Sequence, residues 1–264
     1  MTDEAMPLLS VRDLQVDIGG KRLLDIDELD VGSGEIVGLV GESGAGKSLM
    51  QSAILGLLPA NAEVSGSLVF DGVELLGAKR SVLHDIRGRR VTVVMQAARA
   101  ALTPTLRAET WIDRALALHD VPKAERAERL DHALAAVRLD PALLKRYPHQ
   151  LSGGEAQRVS IALAVALRAE LILADEATSA LDVTVQAEVA ELFRELRASE
   201  GTSFLMVSHD LALVAGLAGR INIIERGRIV ESGGPEILAQ PTDPVTRALV
   251  AAKPPLPSAE EMSA

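Results

Sequence analysis

Apolar positions along this chain follow two regimes, a strand-like alternation and a helical spacing, and their succession predicts the fold. Leu9, Val11, Leu14, Val16 and Ile18 alternate over residues 8–18, and Gly19-Gly20 offers a turn. Residues 23–31 repeat that character. Gly32-Ser33-Gly34 then leads into Glu35 to Val40, a short apolar run expected as a buried strand. Ser65 to Gly72 reads as a short strand closed by an Asp-Gly turn, and Val91 to Met95 as another buried strand. Helical spacing follows. Trp111 to Leu118 and Pro122 to Leu139 read as helices, the second with Ala127, Leu130, Leu134 and Val137 on one face and its proline early. A helix of small residues is expected over 154–167, and a short apolar strand from Leu171 to Ala174, ending in Asp175-Glu176. Val185, Val189, Leu192 and Leu196 stripe the next helix. Ser203 to Val207 reads as a strand ending at Ser208-His209-Asp210, and a hairpin is expected around Arg226-Gly227. Strands alternating with helices predict an α/β fold: a largely parallel sheet with helices on both faces, and an antiparallel β part. Residues 97–150 read as an α-helical lobe inserted in a core domain spanning 8–252. The Pro-rich, acidic tail 253–264 is expected to be disordered, and no internal repeat is visible.

Between the apolar run 35–40 and the helical pattern beginning at Leu49 lies Gly41-Glu42-Ser43-Gly44-Ala45-Gly46-Lys47-Ser48. This matches the phosphate-loop pattern at every fixed position, in the strand–loop–helix setting that its chemistry requires. Backbone N–H groups and the positive end of a helix converge where a triphosphate would sit. Lys47 can reach the β- and γ-phosphates and Ser48 can ligate Mg²⁺. A glycine-rich turn with an accidental Lys-Ser would not come with both flanks, so the chain is expected to bind a nucleoside triphosphate.

Composition narrows the class. The chain has 264 residues, 48% hydrophobic and 24% charged, which suits a globular domain with a real core. It has no cysteine, excluding disulfides and thiolate metal sites of its own. A formal net charge of −10 argues against a nucleic-acid partner, despite the basic run Arg87-Gly88-Arg89-Arg90. The acidic start, Met1-Thr2-Asp3-Glu4, does not resemble a signal peptide. The longest apolar candidate, 161–173, is interrupted by Arg168 and Glu170. The expectation is a soluble cytoplasmic chain that meets a membrane only through a partner.

Leu171 to Asp175 has the form of a Walker B strand, whose buried apolar residues aim one carboxylate from the C-terminal end. Asp175 would hold Mg²⁺ opposite Ser48, and Glu176 beside it suits a general base for the attacking water. Leu151-Ser152-Gly153-Gly154-Glu155, ahead of a helix and before that strand, is similar to the signature motif of ATP-binding cassette (ABC) ATPases. Gly41–Ser48, Gln96, the signature, Asp175-Glu176, Ser179-Ala180-Leu181-Asp182 and His209 all stand in family order, so the chain resembles that family from about Leu8 to Leu249. The resemblance implies a P-loop NTPase core that binds ATP and Mg²⁺, sandwiched between two cassettes. Ser152, Gly153 and Gly154 would contact the γ-phosphate held by the facing cassette. Gln96 would sense Mg²⁺ and water and link the site to the helical lobe, His209 would hold the γ-phosphate, and Asp182 would lie close to the nucleotide.

Finer resemblance points to the peptide/nickel importer group, through Tyr147-Pro148-His149-Gln150 and Leu181-Asp182-Val183-Thr184-Val185-Gln186-Ala187, with weaker matches at 101–104 and 244–249. It implies an ATPase subunit at the cytoplasmic face of the inner or plasma membrane, powering import of peptides, chelated metal such as nickel, or a similar small solute. Such a subunit is held by integral membrane subunits and served indirectly by a solute-binding protein. The alternatives are a soluble ABC ATPase without a transporter, such as one for iron–sulfur assembly, or an exporter subunit. The chain departs from the family pattern in three places. Ile18 stands where most cassettes carry an adenine-stacking aromatic. Ala97-Ala98-Arg99-Ala100 lacks the usual Asp-Pro after Gln96. Asp243-Pro244-Val245-Thr246 replaces His-Pro-Tyr-Thr.

Overall fold

The structure is a computed structural model, and it describes residues 6–179 and 181–252. The expected tail at 253–264 and Ala180 lie outside the described residues. In chain order the elements are β1 (Leu9–Ile18), β2 (Lys21–Val31), β3 (Ile36–Val40), α1 (Lys47–Ile54), β4 (Ala62–Phe70), β5 (Val73–Glu74), α2 (Arg80–Ile86) and β6 (Val91–Met95). There follow α3 (Ala98–Ala101), α4 (Ala108–Leu118), α5 (Lys123–Ala136), 3₁₀ turns at Pro141–Lys145 and Pro148–Gln150, α6 (Gly153–Leu167), β7 (Leu171–Asp175) and α7 (Val183–Glu200). The chain continues through β8 (Ser203–Ser208), α8 (Leu211–Leu217), β9 (Arg220–Glu225), β10 (Arg228–Gly233), α9 (Glu236–Ala239) and α10 (Pro244–Ala251). Every strand and long helix expected from the periodicity is present, so the α/β class holds. The short helices α2, α3, α8, α9 and α10 were not legible in it.

The described residues divide into two compact units, 6–83 with 203–252 and those between 84 and 202. In the first, β2-β1-β4-β5 form a four-stranded antiparallel sheet. In the same unit β3 runs parallel between β8 and β9, and β10 closes antiparallel on β9. β3 and β8 are buried along their whole length, which is why both read as continuous apolar runs and not as alternations. Each such Leu, Ile or Val side chain contributes about 1.5–3 kcal/mol on burial. In β1 the apolar positions step by three, not two, between Val11 and Leu14. There the pairing with β4 slips by one residue between Arg12 and Gln15, and Asp13 takes a positive φ of 48°. This bulge keeps Val11 and Leu14 both facing inward, each wholly buried.

In the second unit, β6 and β7 pair in parallel, and between them in sequence every described element is helical. The unit is wider than the stretch 97–150 because α6 packs against α3, α4, α5, α7 and β6 at once. Its small residues permit that close approach: Ala156, Ala162, Ala164 and Ala166 are all nearly wholly buried.

The C-terminal segment of the first unit is held by one carboxylate. Glu231 of β10 accepts from the Thr242 N–H at 2.9 Å, the Thr242 hydroxyl at 2.6 Å and the Asp243 N–H at 3.3 Å. Partial burial alone would raise its pKa, but the Thr242 hydroxyl and the two backbone donors prevail and pull it down to about 2. A depressed folded-state value means the clamp stabilises fully above the ordinary carboxylate range and loses that contribution as pH falls through the folded value. Glu231→Gln should therefore unfold at a lower temperature than wild type at neutral pH. That deficit should shrink between about pH 4.5 and pH 2. A thermal-melt series across this range checks it, and a pH-independent deficit would remove the carboxylate from the account.

Candidate functional site

The phosphate loop is built by steric necessity. Gly41 leaves β3 where a Cβ would lie 2.2 Å from the Ile224 carbonyl oxygen of β9, so any other residue would collide with a neighbouring backbone. Gly46, the N-cap of α1, has φ 113°, and a Cβ there would press on Leu24 at 2.8 Å. Gly44 also has positive φ, and the loop is anchored where the Gly227 N–H donates to the Ala45 carbonyl at 2.8 Å. Lys47 opens α1 and is buried, 8% exposed. Its ammonium donates to the carbonyls of Gly41 at 2.6 Å and Glu42 at 2.8 Å. A buried cation held by its own loop stands ready to exchange carbonyl oxygens for phosphate oxygens. Glu42, Ser43 and Ser48 are exposed, and Ser48 sits in the first turn of α1. The arrangement fits a triphosphate: bare backbone, a helix N-terminus and a poised ammonium. Beside it a pocket opens onto α10, lined by Glu42, Ala45, Ile224, Glu225, Val245 and Leu249.

Parallel registers place the remaining chemistry of the first unit. Val40 pairs with Ser208, so Gly41 and the exposed His209 leave neighbouring strand ends together. Asp210 directs the chain onward by capping α8 through the Leu213 N–H. Ile18 ends β1, half-buried, paired with Lys21 and Ala62.

The second unit repeats that logic. Met95 pairs with Asp175, so Gln96 and Glu176 emerge side by side. Ser179, which the sequence offered only as the start of the run 179–182 and without a role of its own, joins them. Gln96 Nε2 donates to Ser179 Oγ at 2.8 Å, and Ser179 Oγ donates to the Glu176 carbonyl at 3.0 Å. Glu176 has φ 45°, a left-handed conformation uncommon for a residue with a side chain. Such strain is characteristic of functional positions.

Ser152 caps α6 in a reciprocal box. Its hydroxyl accepts from the Glu155 N–H at 3.1 Å, while the Ser152 N–H donates to Glu155 at 2.6 Å. Gly153 and Gly154 are small because α7's entry packs on them. A Cβ on Gly153 would lie 3.2 Å from Leu181, and one on Gly154 2.7 Å from Val185. Asp182 caps α7 through the Val185 N–H at 3.0 Å. Among the described residues no cluster of His, Asp or Glu is built to hold a metal by itself. Within the separate units, the Ser48 hydroxyl in the first turn of α1 and the Asp175 carboxylate and Gln96 amide at the ends of β7 and β6 are oxygen donors of the type that Mg²⁺ prefers.

A glycine-rich strand–loop–helix with carboxylates at parallel strand ends defines a P-loop nucleoside-triphosphate-binding protein. Comparison with known proteins narrows this further. The ABC transporter family profile matches residues 24–179. The peptidoglycan transport ATP-binding protein YejF of Agrobacterium fabrum is 42% identical over 258 residues, 94% of this chain and 47% of YejF. The oligopeptide transport ATP-binding protein OppD of Escherichia coli is 37% identical over 259 residues, 95% of this chain and 77% of OppD. The chain thus spans about half the length of YejF and about three quarters of OppD. A dimeric ATP-binding cassette in a post-hydrolysis state, bound to ADP and Pi, superposes with TM-score 0.74 at 27% identity, covering 86% of this chain and 98% of that one. The cbiO1 protein of Clostridium perfringens shares the fold, with TM-score 0.79 at 22% identity and coverage of 90% and 92%. The chain belongs to the ABC transporter family and is an ATP-binding, ATP-hydrolysing cassette of it. Among the described residues no helix is long and apolar enough to cross a membrane.

The Glu176 backbone gives a prediction. A left-handed conformation costs about 1–2 kcal/mol for a residue with a Cβ, against about 0.5–1 kcal/mol of extra chain entropy for glycine. Glu176→Gly should therefore be more stable than Glu176→Gln by about 0.5–1 kcal/mol in urea unfolding. The reverse order would mean that the backbone stores no strain.

Proposed function

We propose that this chain is the ATP-hydrolysing subunit of an ABC importer for peptides or a similar small solute. It would work as one of two cassettes, the second being another copy or a sister ATPase. The pair would sit on integral membrane subunits at the cytoplasmic face of the membrane, fed from the other side by a solute-binding protein. What supports this reading is similarity along more than nine-tenths of the chain to proteins named for peptidoglycan, peptide and oligopeptide transport, beside the resemblance carried by segments 147–150 and 181–187. The helical stretch 97–150, entered through Gln96, is the part proposed to face the membrane subunits.

In this reading Lys47 leaves the Gly41 and Glu42 carbonyls for the β- and γ-phosphates of ATP, whose oxygens the loop N–H groups cradle. Ser48, Asp175 and Gln96 are the residues that would hold Mg²⁺. When bound, this ion neutralises charge on the phosphates. Glu176 takes a proton from the attacking water, and Gln96, tied to it through Ser179, reads the same water. His209 steadies the γ-phosphate from the strand end next to the loop. Ser152, Gly153 and Gly154 offer their helix N-terminus to the nucleotide of the facing cassette, and Asp182 lies on the segment packed against them.

Lys47→Ala should abolish ATP binding. Glu176→Gln should keep binding, lower turnover by at least about 10²-fold and leave an ATP-stabilised pair of cassettes. Near-wild-type hydrolysis by Glu176→Gln would sink the general-base assignment. Purification from detergent-solubilised membranes should recover the chain with integral membrane subunits. Recovery of the chain alone, fully active, would favour the soluble alternative.

Ile18 yields a second test. Stacking of a base on an aromatic ring is worth about 1–3 kcal/mol, and isoleucine retains part of this through apolar contact. Ile18→Tyr should tighten ATP binding by about 1 kcal/mol, a few-fold in affinity, and sharpen discrimination against GTP. The measurement is the dissociation constants of both nucleotides for wild type and variant. Unchanged values would mean that Ile18 does not face the base.

A further inference from the structure

The segment after Gln96 departs from the family pattern, yet it is tied to the signature turn by a contact of its own. Ala98 and Leu102 are buried and anchor α3, which packs against α6 and the turn at Pro148–Gln150. Between those anchors the Arg99 guanidinium donates to the carbonyl of Leu151, the residue just before Ser152. The peptide between Leu151 and Ser152 is a rigid plane. Its carbonyl is held by Arg99 and its N–H by the Glu155 carboxylate at 2.6 Å. Charge-assisted bonds at both ends fix the tilt of that plane, and with it the direction in which the first N–H groups of α6 point. Three residues earlier in the same segment, Gln96 reaches the Glu176 loop through Ser179.

We propose that Arg99 is a positioning residue for the signature turn, and that its effect falls on the nucleotide held by the facing cassette, not on the one bound by its own chain. The inference rests on the shared-site reading given above. In that same reading Gln96, only three positions away, serves the nucleotide of its own chain.

Two full-length copies joined by a flexible linker as a tandem test this directly. In one tandem, Lys47→Ala and Arg99→Met are placed in the same copy. The surviving phosphate loop then faces a signature that lacks Arg99. In the other, Lys47→Ala is in one copy and Arg99→Met in its neighbour, so the surviving loop of the Arg99→Met copy faces an intact signature. The separate-copy tandem should hydrolyse ATP about five- to tenfold faster than the same-copy tandem, since an oriented charge-assisted bond in an anion site is worth about that much. ATP affinity at the surviving loop should agree within about twofold between the two. Arg99→Lys, which keeps a donor, should restore much of the rate in the same-copy arrangement. Equal rates would overturn the proposal, and so would the opposite order, which would assign Arg99 to its own chain's nucleotide. If Arg99→Met lowers the thermal midpoint, the same pair built with Arg99→Gln reads the same contrast. The same two tandems built with Ser152→Arg in place of Arg99→Met test the shared-site reading separately: equal rates in that pair would overturn it.

Discussion

The structure depends on the register of its parallel strands. Parallel neighbours send their chains out at the same edge, so residues distant in sequence meet there by backbone hydrogen bonding alone. Pairing Val40 with Ser208 puts the start of the phosphate loop beside His209. Pairing Met95 with Asp175 puts Gln96 beside Glu176. A slip of one residue in either pair would turn every side chain of a fully buried strand to the opposite face and also separate the chemistry at its end. The uninterrupted burial of β3 and β8 therefore fixes the strands against slippage, and in doing so locates functional groups that take no part in that burial.

Around those strand ends the chain accepts local costs that only function explains. Lys47 is buried with its charge on loop carbonyls, and Glu176 adopts a left-handed backbone. Both are tolerable because the surroundings over-determine them. The Ile224 carbonyl and Leu24 close on Gly41 and Gly46 so tightly that no Cβ fits at either, and the Ser179 hydroxyl donates to the Glu176 carbonyl. The cost sits where charge must be handled, and the packing that sustains it lies one layer away.

Much of this was legible in the sequence because it is written in short-range terms. The phosphate loop, the apolar run before Asp175 and the Ser-Gly-Gly turn are contiguous, and their residue types follow from backbone geometry. What could not be read depends on partners far along the chain. The bulge at Asp13 makes sense only opposite Gly66, where a Cβ would lie 2.2 Å from the Asp13 carbonyl oxygen. Ser179 looks like any loop serine until Gln96 is placed next to it, 83 residues away. α3 and α9 are four residues each, too short for a period to show, and α10 is recognisable mainly through its Asp243 cap. Arg99 was noticed only as part of a missing Asp-Pro, since nothing local announces a bond to Leu151.

The contacts of the second unit bear on how a cassette can keep two tasks in step. Segment 175–185 carries Asp175 and Glu176 at one end and, at the other, the Leu181 and Val185 side chains that touch Gly153 and Gly154. Segment 96–99 likewise holds the Glu176 loop through Gln96 and the signature through Arg99. Two short connections therefore run between the residue proposed to activate water at one nucleotide and the turn proposed to grip another. Two ties constrain the relative rotation of what they join, as a single hinge would not. On the proposed reading, a shift of Gln96 would carry Arg99 with it and so reach the signature turn. In the segment that departs from the family pattern after Gln96, it is a basic side chain, Arg99, that supplies the second of these connections by reaching the Leu151 carbonyl.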